Sequence, residues 1–392
     1  MITFEEALEI VLSHAGLLET ETVGFTESLG RVLAENIVSD MDMPPFDKSA
    51  MDGYACRKAD LKNELEVLEI IAAGQLPGFE VCANQCSKIM TGAMIPKGAD
   101  CVIMVEHTRV TAKGLIEFTA EKTAGNICFK GEDIKKGEKV LSKGLLIKPQ
   151  HIAVLASVGC VNPTVYRKAK VGILSTGDEL VEPQFEPGSG EIRNSNAWQL
   201  MAQARAMNVE ATYFGIAPDE ERQTLTLIKK ALETCDVMLL TGGISMGDYD
   251  FVPAVLKEAG FTFHFKSLAV QPGRPTLFGS TAERKICFGL PGNPVSSFNQ
   301  FELLVKPMLM KMMGHDHNPV IIKFPMAVDY RRKKSERLSF IPVLLHDNGS
   351  VSPVEYHGSA HINALNLAFG LMSVPIGVEE IKNGELADVR PL

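Results

Sequence analysis

The stretch AKVGILSTGDEL, residues 169–180, joins a short apolar run to a polar turn that contains glycine. The same combination returns in DVMLLTGG (236–243) and in ICFGLPG (286–292), with helical patterns between the runs. Apolar runs that alternate with helices are typical of a parallel sheet with helices on both faces. Residues 167–316 are therefore predicted to form a three-layer α/β/α domain.

The segments on either side of this domain have other patterns. Residues 45–135 contain short β-forming runs separated by Gly, Pro, Asn and Lys, and residues 317–392 contain short alternating runs. Both patterns predict β-rich modules. Residues 1–44 and 136–166 each contain a helical pattern, and we expect these two flanks to meet in space, with the first β-rich module inserted between them.

Composition excludes several classes of function. The chain has 392 residues, 45% of them hydrophobic, and a net charge of −9, which argues against a broad nucleic-acid-binding surface. It lacks the long apolar run of a membrane span, and its acidic amphipathic start does not resemble a signal peptide. The scattered cysteines are typical of reduced thiols in the cytoplasm, and the close pair Cys82 and Cys86 lacks the second pair of a zinc site.

Polar loops follow the predicted strands, at the position where ligands bind in open α/β sheets. They are STGDEL (175–180), TGGISMGDYD (241–250) and LPGNPVSS (290–297), and QPGRP (271–275) is expected to add a fourth. Taken alone, GG after a strand is more typical of an ordinary turn and PGNP of a helix-starting turn, while GDE is equally well a solvated acidic turn. Because several such loops would meet at one rim, together they favour a ligand site.

The residue types in these loops suit an anionic ligand. Gly242 and Gly243 allow close approach of the backbone, and Arg274 and the N–H groups after Pro294 can bind an oxyanion. Hydroxyl and carboxylate oxygens suited to an oxyanion or to Mg²⁺ come from Ser245, Asp178, Glu179, Asp248 and Asp250. Neither a Walker lysine motif nor G-x-G-x-x-G occurs, which argues against P-loop and dinucleotide-binding classes.

A further stretch, PPFDKSAMDGYA (44–55), has neither helical nor strand periodicity. It places Asp47 and Asp52 among apolar side chains such as Phe46 and Tyr54. Either the apolar groups anchor a loop whose carboxylates point into a cleft, or Asp52 caps its own loop as an Asx-turn.

Eight motifs in this order resemble the molybdopterin molybdenumtransferase family, called MoeA in bacteria and the E domain in gephyrin. The motifs are FDKSAMDGYA, IMTGAMIPKGAD, GNICFKGED, STGDEL, TGGISMGDYD, QPGRP, GLPGNPVSS and HGSAH. Each motif alone is modest evidence for the family, but the ordered set is specific for it and covers essentially the whole chain.

The resemblance implies an architecture. Residues 167–316 would be a MogA-like molybdopterin-binding domain, residues 45–135 a separate β domain and residues 317–392 a β-barrel domain. Residues 1–44 and 136–166 would form an elongated connector. The family also implies a homodimer, whose active site is shared between the α/β and C-terminal domains of one subunit and the β domain of the other.

The activity implied is insertion of molybdate into adenylylated molybdopterin, with release of AMP and with Mg²⁺ as cofactor. Expected partners besides the second subunit are a MogA-like adenylyltransferase and molybdoenzyme chaperones. Two alternatives remain open at this point. One is molybdopterin adenylylation by a MogA-like enzyme, and the other is a non-catalytic scaffold.

The resemblance also assigns roles residue by residue. Catalytic positions are Asp52, Thr91, Asp133 and Glu179. Positions for molybdopterin and AMP are Ser175, Thr176, Gly177, Asp178, Gly242, Gly243, Ser245, Asp250, Pro291, Gly292, Asn293 and Pro294. Molybdate positions are Arg274, Ser296, Arg337 and Ser359, although Arg337 taken alone resembles a surface arginine. Mg²⁺ is expected on Glu179, Asp248 and Asp250.

The chain departs from the family pattern at three places. Cys128 stands where many members have arginine, which leaves Lys130 as a neighbouring replacement. Gln271 and Arg274 stand where lysines are frequent, and arginine keeps the charge of lysine but not its geometry. Glu220 follows Asp219 where two aspartates are common.

Overall fold

The computed structural model describes residues 1–243, 251–355 and 358–392. The first segment forms α1 (Phe4–Ser13), β1 (Thr20–Thr22) and β2 (Ile37–Val38). Helix α1 begins after Thr3, whose hydroxyl accepts the N–H of Glu6 at 3.2 Å while the Glu6 carboxylate accepts the N–H of Thr3 at 2.9 Å. This reciprocal pair satisfies backbone donors that a helix start leaves free.

The next segment is β-rich, as predicted. Its strands are β3 (Lys48–Ser49), β4 (Gly53–Cys56), β5 (Glu66–Ile71), β6 (Gln85–Ile89), β7 (Cys101–Met104), β8 (Thr108–Val110), β9 (Ile116–Phe118) and β10 (Ile127–Cys128). Strands β5, β6, β4 and β7 lie side by side in that order. Gly53 opens β4 because a Cβ at this position would lie 2.0 Å from the Ile103 carbonyl oxygen. Asp52 therefore stands directly at the end of a closely packed strand.

The two flanks of the β-rich region meet, as expected. After it come β11 (Lys139–Leu141), α2 (Pro149–Ser157) and β12 (Thr164–Tyr166). Strand β11 pairs antiparallel with β2, and β12 pairs antiparallel with β1. Their buried side chains, which include Leu33, Ile37, Leu141 and Val165, form one apolar cluster.

The α/β region follows the predicted alternation of strands and helices. Its elements are β13 (Lys170–Thr176), β14 (Leu180–Val181), β15 (Ile192–Arg193), α3 (Asn196–Ala206), β16 (Glu210–Ala217), α4 (Glu221–Thr234), β17 (Val237–Thr241), α5 (Val252–Glu258), β18 (Thr262–Phe265), β19 (Val270–Gln271), β20 (Leu277–Ser280) and β21 (Ile286–Leu290). The central sheet has the order β16-β13-β17-β21-β20-β18.

The prediction of a wholly parallel sheet was wrong at one edge. Strands β16, β13, β17 and β21 are parallel, but β20 runs antiparallel to both β21 and β18. Only residues 281–285 connect β20 to β21. Such a connection is too short for the crossover that parallel neighbours need, so the chain turns back as a hairpin.

Helices cover both faces of this sheet, as predicted. Val171 and Ile173 of β13 belong to the apolar cluster that contains α3 and the last helical segment, whereas Leu174 belongs to the cluster of α4 and α5. Successive side chains of a strand point to opposite faces, so one strand contributes to both cores.

The last helical segment is continuous but irregular. It comprises α6 (Pro294–Gln300), a π-helical turn (Phe301–Val305) and α7 (Lys306–Met312). Turns of this kind inside helices occur frequently at functional sites. Within the three described ranges, none of the helices has the length and apolar character required to cross a membrane.

The C-terminal segment forms a further sheet. Its strands are β22 (Ile322–Pro325), β23 (Tyr330–Arg331), β24 (Leu338–Leu345), β25 (Val351–Pro353), β26 (Gly370–Val374), β27 (Glu380–Ile381) and β28 (Leu386–Pro391). Strands β24, β26, β28 and β22 lie in that order, and β19 pairs in parallel with β24 at the free edge.

The position of β19 corrects the expectation for QPGRP. That loop does not follow a strand of the central sheet, because residues 266–276 leave the sheet between β18 and β20 and pair with β24 instead. In the register, Val270 faces Leu338 and Gln271 faces Ser339. The pairing therefore brings the loop that carries Arg274 next to Arg337.

Candidate functional site

A cavity of about 290 Å³ lies at the carboxyl ends of β13, β17 and β21. Residues from the ends of all three strands line it, as the loop pattern predicts: Thr176, Glu179, Thr241, Gly242, Gly292, Asn293 and Pro294. Arg193, Asn194 and Asn196, from the end of β15 to the start of α3, line it as well. In the sheet, β13 has β16 as its neighbour on one side and β17 on the other. The cavity thus lies where the strand order reverses, the usual ligand position in open α/β sheets.

Gly242 and Gly243 are required by the close packing at the end of β17. Gly242 has φ +93°, and a Cβ on it would lie 2.3 Å from the Thr176 carbonyl oxygen. Gly243 has φ +61°, and its Cβ would lie 2.8 Å from Thr176 Oγ1. Both positions combine left-handed backbone with close contact, which only glycine tolerates.

Two buried oxygen atoms at this cavity have no hydrogen-bond partner among the described residues. They are Thr176 Oγ1 and Asn196 Oδ1. Leaving a buried acceptor unsatisfied costs about 1–3 kcal/mol, so such atoms call for an explanation. Because both residues line the cavity, a bound ligand or its metal ion is the partner that these oxygens suit.

Asn194 and Asn196 are site residues that the sequence reasoning missed. Asn196 donates to Thr241 Oγ1 at 3.0 Å and to the Gly292 carbonyl at 2.7 Å, so it ties the ends of two strands together. Asn194 accepts from Ser175 Oγ at 3.1 Å. The signal was the Asn-Ser-Asn run, which was interpreted only as a helix start.

Some residues of STGDEL line the cavity, and others lie behind it or hold the turn in place. Glu179 and Thr176 line the cavity, whereas Ser175 is fully buried behind it. Asp178 accepts the backbone N–H of Asp219 at 3.0 Å, which joins this turn to the loop before α4. The Glu179 carboxylate folds back over Gly177, where a Cβ would lie within 2.8 Å of it.

A second cavity, of about 380 Å³, lies between the 271–275 loop and the C-terminal segment. Its lining contains the four predicted molybdate positions and seven further residues: Arg274, Ser296, Arg337 and Ser359, with Gln271, Pro272, Gly273, Pro275, Pro291, Asn293 and Gly358. Both charged residues of this described lining are arginines. The cavity is therefore suited to an oxyanion.

Arg337 is a pocket residue rather than an isolated surface arginine. Its guanidinium donates to the Val270 carbonyl at 3.4 Å and to Gln271 Oε1 at 3.5 Å. Gln271, in a position where the family frequently has lysine, thus acts as an acceptor for an arginine and adds no positive charge. The side chain of Arg274 has no hydrogen bond or ion pair to any other described residue, and it lies exposed in the cavity lining.

Asn293 lines both cavities. Its side-chain amide donates to Ser359 Oγ at 2.8 Å, and the neighbouring Val295 N–H donates to the Ser359 carbonyl at 3.1 Å. The first backbone donor after Pro294 is therefore already occupied, contrary to the expectation that it would be free for an anion. Pro291, assigned to molybdopterin, lines the second cavity instead of the first.

Asp52 and Thr91 form a pair on the β-rich region, away from both cavities. Asp52 Oδ1 accepts the backbone N–H and the hydroxyl of Thr91, each at 2.7 Å. The backbone hydrogen bond, followed by the hydroxyl, holds the pKa of Asp52 below its ordinary value. These bonds reach residue 91 and not residue 54, so the carboxylate is not used in a local Asx-turn.

Asp133 and Cys128 lie in the segment that closes the β-rich region. Asp133 is exposed, and neither it nor Asp52 or Thr91 lines the two cavities. Burial and a hydrogen bond with Glu132 raise the pKa of the Cys128 thiol, which stays neutral. Lys130, the possible replacement for arginine, has its Nζ 3.5 Å from Asp42 Oδ2.

The predicted metal positions lie only partly within the described residues. Ser245, Asp248 and Asp250 lie outside the described residues, and the described residues themselves contain no cluster of three or more His, Cys, Asp or Glu placed to hold an ion. At the first cavity, Glu179 and the unsatisfied Thr176 Oγ1 supply hard oxygen atoms. Such donors fit Mg²⁺ chemically.

Three family models match the chain in order. The MoeA N-terminal region (domain I and II) matches residues 2–159, the probable molybdopterin-binding domain matches residues 172–311, and the MoeA C-terminal region (domain IV) matches residues 324–392. Between them they include both cavities and the Asp52–Thr91 pair.

Relatives of full length support the same assignment. The molybdopterin molybdenumtransferase of Staphylococcus epidermidis is 35% identical over 398 residues, which cover 99% of this chain and 95% of that protein. That of Bacillus subtilis is 33% identical over 403 residues, 99% and 93% respectively. The crystal structure of the molybdopterin biosynthesis MoeA protein from Pyrococcus horikoshii OT3 superposes with a TM-score of 0.86 at 33% identity, over 100% of both chains. The chain belongs to the MoeA family of molybdopterin molybdenumtransferases.

Proposed function

We propose that this protein inserts molybdenum from molybdate into adenylylated molybdopterin, releasing AMP and yielding molybdenum cofactor. The observation that carries the proposal is the pair of adjoining cavities that share Asn293. One is lined mainly by neutral hydrogen-bonding groups, with one acid, Glu179, and one arginine, Arg193, whose Nε donates to the Pro183 and Phe185 carbonyls. The described lining of the other has two arginines and no acid. A reaction between a nucleotide-linked pterin and a small oxyanion needs both environments side by side.

The arginine cavity accepts molybdate in this scheme. Molybdate, the pyrophosphate link and the dithiolene sulfurs are all anionic and repel one another, so the protein has to supply compensating charge. Arg274 and Arg337 provide it from two directions, and Ser296 and Ser359 add hydroxyl donors. Because Asn293 donates to Ser359 Oγ, the Ser359 hydroxyl hydrogen is free to point to the oxyanion.

The first cavity holds the pterin and its adenylate. Gly242 and Gly243 let the backbone approach the ligand, and Asn196 and Thr176 offer unsatisfied oxygens to it. Mg²⁺ bound with the help of Glu179 would neutralise the phosphates. Glu179 positions the attacking oxygen and forms no covalent intermediate in this proposal. We assign the same supporting role to Asp248 and Asp250.

The Asp52–Thr91 pair completes the site from a second subunit. Within one chain the pair lines neither cavity, although the resemblance assigns it to catalysis. A homodimer in which the β-rich region of one subunit covers the cavities of the other would reconcile the position of the pair with its expected role, with Asp133 on the same side. The partners we propose are a MogA-like enzyme, which adenylylates molybdopterin upstream, and molybdoenzyme chaperones, which receive the product. We place these steps in the cytoplasm.

The test measures AMP release and molybdenum incorporation by the purified protein with adenylylated molybdopterin, Mg²⁺ and molybdate. Molybdate-dependent AMP release with transfer of the metal to the pterin is expected. Glu179→Gln should abolish Mg²⁺-dependent AMP release, whereas Glu186→Gln, in the exposed part of the loop after β14, should not change it. Adenylylation of molybdopterin from ATP without molybdate would instead assign the adenylyltransferase reaction. Tight pterin binding without turnover would assign a scaffold role.

A further inference from the structure

The side chain of Gln300 is fully buried behind the loop that carries Arg274. Its amide nitrogen donates to the Pro272 carbonyl at 3.3 Å. The amide also occupies the space beside Gly273, because a Cβ on Gly273 would lie 2.2 Å from Gln300 Nε2. The backbone that leads into Arg274 thus rests directly on this one amide group.

This contact is not explained by packing alone. Gln300 Oε1 is buried and has no hydrogen-bond partner among the described residues. An apolar side chain of similar volume would avoid that unsatisfied oxygen, which costs about 1–3 kcal/mol. Among the described residues, the amide nitrogen makes one hydrogen bond that an apolar side chain cannot make, and its acceptor is the Pro272 carbonyl.

The loop position decides where the Arg274 charge lies. The Arg274 guanidinium has no hydrogen bond or ion pair to another described side chain, so only its own backbone directs it into the cavity. That backbone is held by the Arg274 carbonyl, which accepts from Leu268 N–H at 2.9 Å, and by Thr276 Oγ1, which donates to the Gly273 carbonyl at 2.8 Å. The Thr276 N–H also donates to the Arg274 carbonyl, at 3.0 Å. Gln300 supplies a further bond, at Pro272.

We infer that Gln300 is a positioning residue for molybdate. It acts through the 272–274 backbone to aim Arg274 into the oxyanion cavity, and it touches no substrate itself. The inference rests on the proposed function, since it assumes that the oxyanion cavity takes molybdate. It concerns binding at the second cavity alone, so pterin binding at the first cavity should not depend on Gln300.

The experiment compares molybdate binding to the whole protein by titration calorimetry, without pterin, for wild type, Gln300→Met and Ser297→Ala. Methionine keeps the approximate volume of glutamine but cannot donate to Pro272. We expect molybdate affinity to fall roughly fivefold or more for Gln300→Met. Ser297 is fully buried on the same helix and its hydroxyl has no described partner to lose, so Ser297→Ala should bind as wild type does.

Three further measurements separate positioning from a general structural effect. In an Arg274→Gln background, Gln300→Met should not weaken binding further, because the group it aims is absent. In the activity assay, KM for molybdate should rise while kcat and KM for the adenylylated pterin stay unchanged. The melting temperature of Gln300→Met should stay close to that of wild type.

Different results would overturn this inference and the proposed function. Unchanged affinity of Gln300→Met, or an equal loss of affinity in both backgrounds, overturns the inference. If Gln300→Met unfolds, Gln300→Leu and Gln300→Ala are measured in the same way, and loss of the fold in all three also overturns it. If wild type itself binds no molybdate, the assignment of the cavity in the proposed function is what fails.

Discussion

The Asn293 amide lies 2.8 Å from the Ser359 hydroxyl, and this hydrogen bond joins the end of the central α/β sheet to the C-terminal segment. Asn293 follows β21 directly, and Ser359 is 66 positions further along the chain. Both residues line the arginine cavity, and Asn293 also lines the cavity beside it. The wall between the two proposed substrate positions therefore depends on a contact between distant parts of the chain.

Replacing Asn293 should weaken molybdate use. In Asn293→Ala the hydroxyl of Ser359 loses its donor and is free to rotate, so we expect KM for molybdate to rise by about fivefold, the equivalent of roughly 1 kcal/mol. The double variant with Ser359→Ala should be little worse than Ser359→Ala alone. Steady-state AMP release measures both effects. Asn366→Ala, which removes an exposed amide contact with Asn363, serves as control and should match wild type.

The Thr91 hydroxyl should control the acidity of Asp52 only in part. Thr91→Val removes the hydroxyl donor but keeps the backbone N–H, which is the larger cause of the lowered pKa. The pKa of Asp52 should therefore rise toward its ordinary value without reaching it, and Thr91→Ser should restore the lowered pKa. Carboxyl NMR titration of protein with labelled aspartate measures the shift.

The sign of the associated pH effect follows from this lowered pKa. A carboxylate with a lower pKa in the folded state stabilises the fold above its unfolded pKa, and the contribution disappears as pH falls through the folded value. The difference in folding stability between wild type and Thr91→Val should accordingly be full at neutral pH and should shrink as pH falls through the folded pKa of Asp52. A difference that keeps its full size at pH values below the folded pKa of Asp52 would contradict the hydrogen-bond explanation.

Gly242 should be far less replaceable than a glycine with the same backbone angle in open space. Gly260 has φ +92° and no heavy atom within 4 Å of a built Cβ, so Gly260→Ala should cost only about 1 kcal/mol of unfolding free energy. Gly242→Ala adds a collision with the Thr176 carbonyl and should cost about 3 kcal/mol or more, with loss of pterin binding. Denaturant unfolding compares the two, and equal costs would refute the packing argument.

Asp236 should stabilise the α/β region through Arg167. The Arg167 guanidinium donates to both Asp236 oxygens, at 2.7 and 2.9 Å, and Lys170 N–H donates at 2.9 Å. Burial raises the pKa of Asp236, but these donors outweigh it, so the net pKa is lowered. Asp236→Asn should cost about 2–3 kcal/mol, measured by denaturant unfolding at neutral pH.

The loss of folding stability in Asp236→Asn should depend on pH in a defined direction. Because the folded pKa is depressed, the difference between wild type and Asp236→Asn should be full above the unfolded pKa and shrink as pH falls through the folded value. Glu117→Gln is the matched control, since the Arg109–Glu117 pair has similar geometry but is exposed to solvent. No measurable change in stability is expected there.

Local patterns predicted much of the α/β region. The apolar runs that end at Thr176, Thr241 and Leu290 each form a strand of the central sheet, and their glycine loops meet at one cavity. This works because strand and helix periodicity are local properties, and because parallel strands bring their carboxyl ends to one edge. The antiparallel edge was not predicted, since the short runs at 262–265 and 277–280 contain no signal for strand direction.

What the sequence alone determined was the class of the fold, the membership of the family and the residue types of both sites, because these depend on periodicity and on motifs read along the chain. Tertiary structure decided which of those residues meet. It paired β19 with β24 and so brought Arg274 to Arg337, joined Asp52 to Thr91, and placed the unforeseen Asn196 between two strand ends. Such contacts depend on strand pairing and packing between segments far apart in the chain, and no short stretch of residues encodes them.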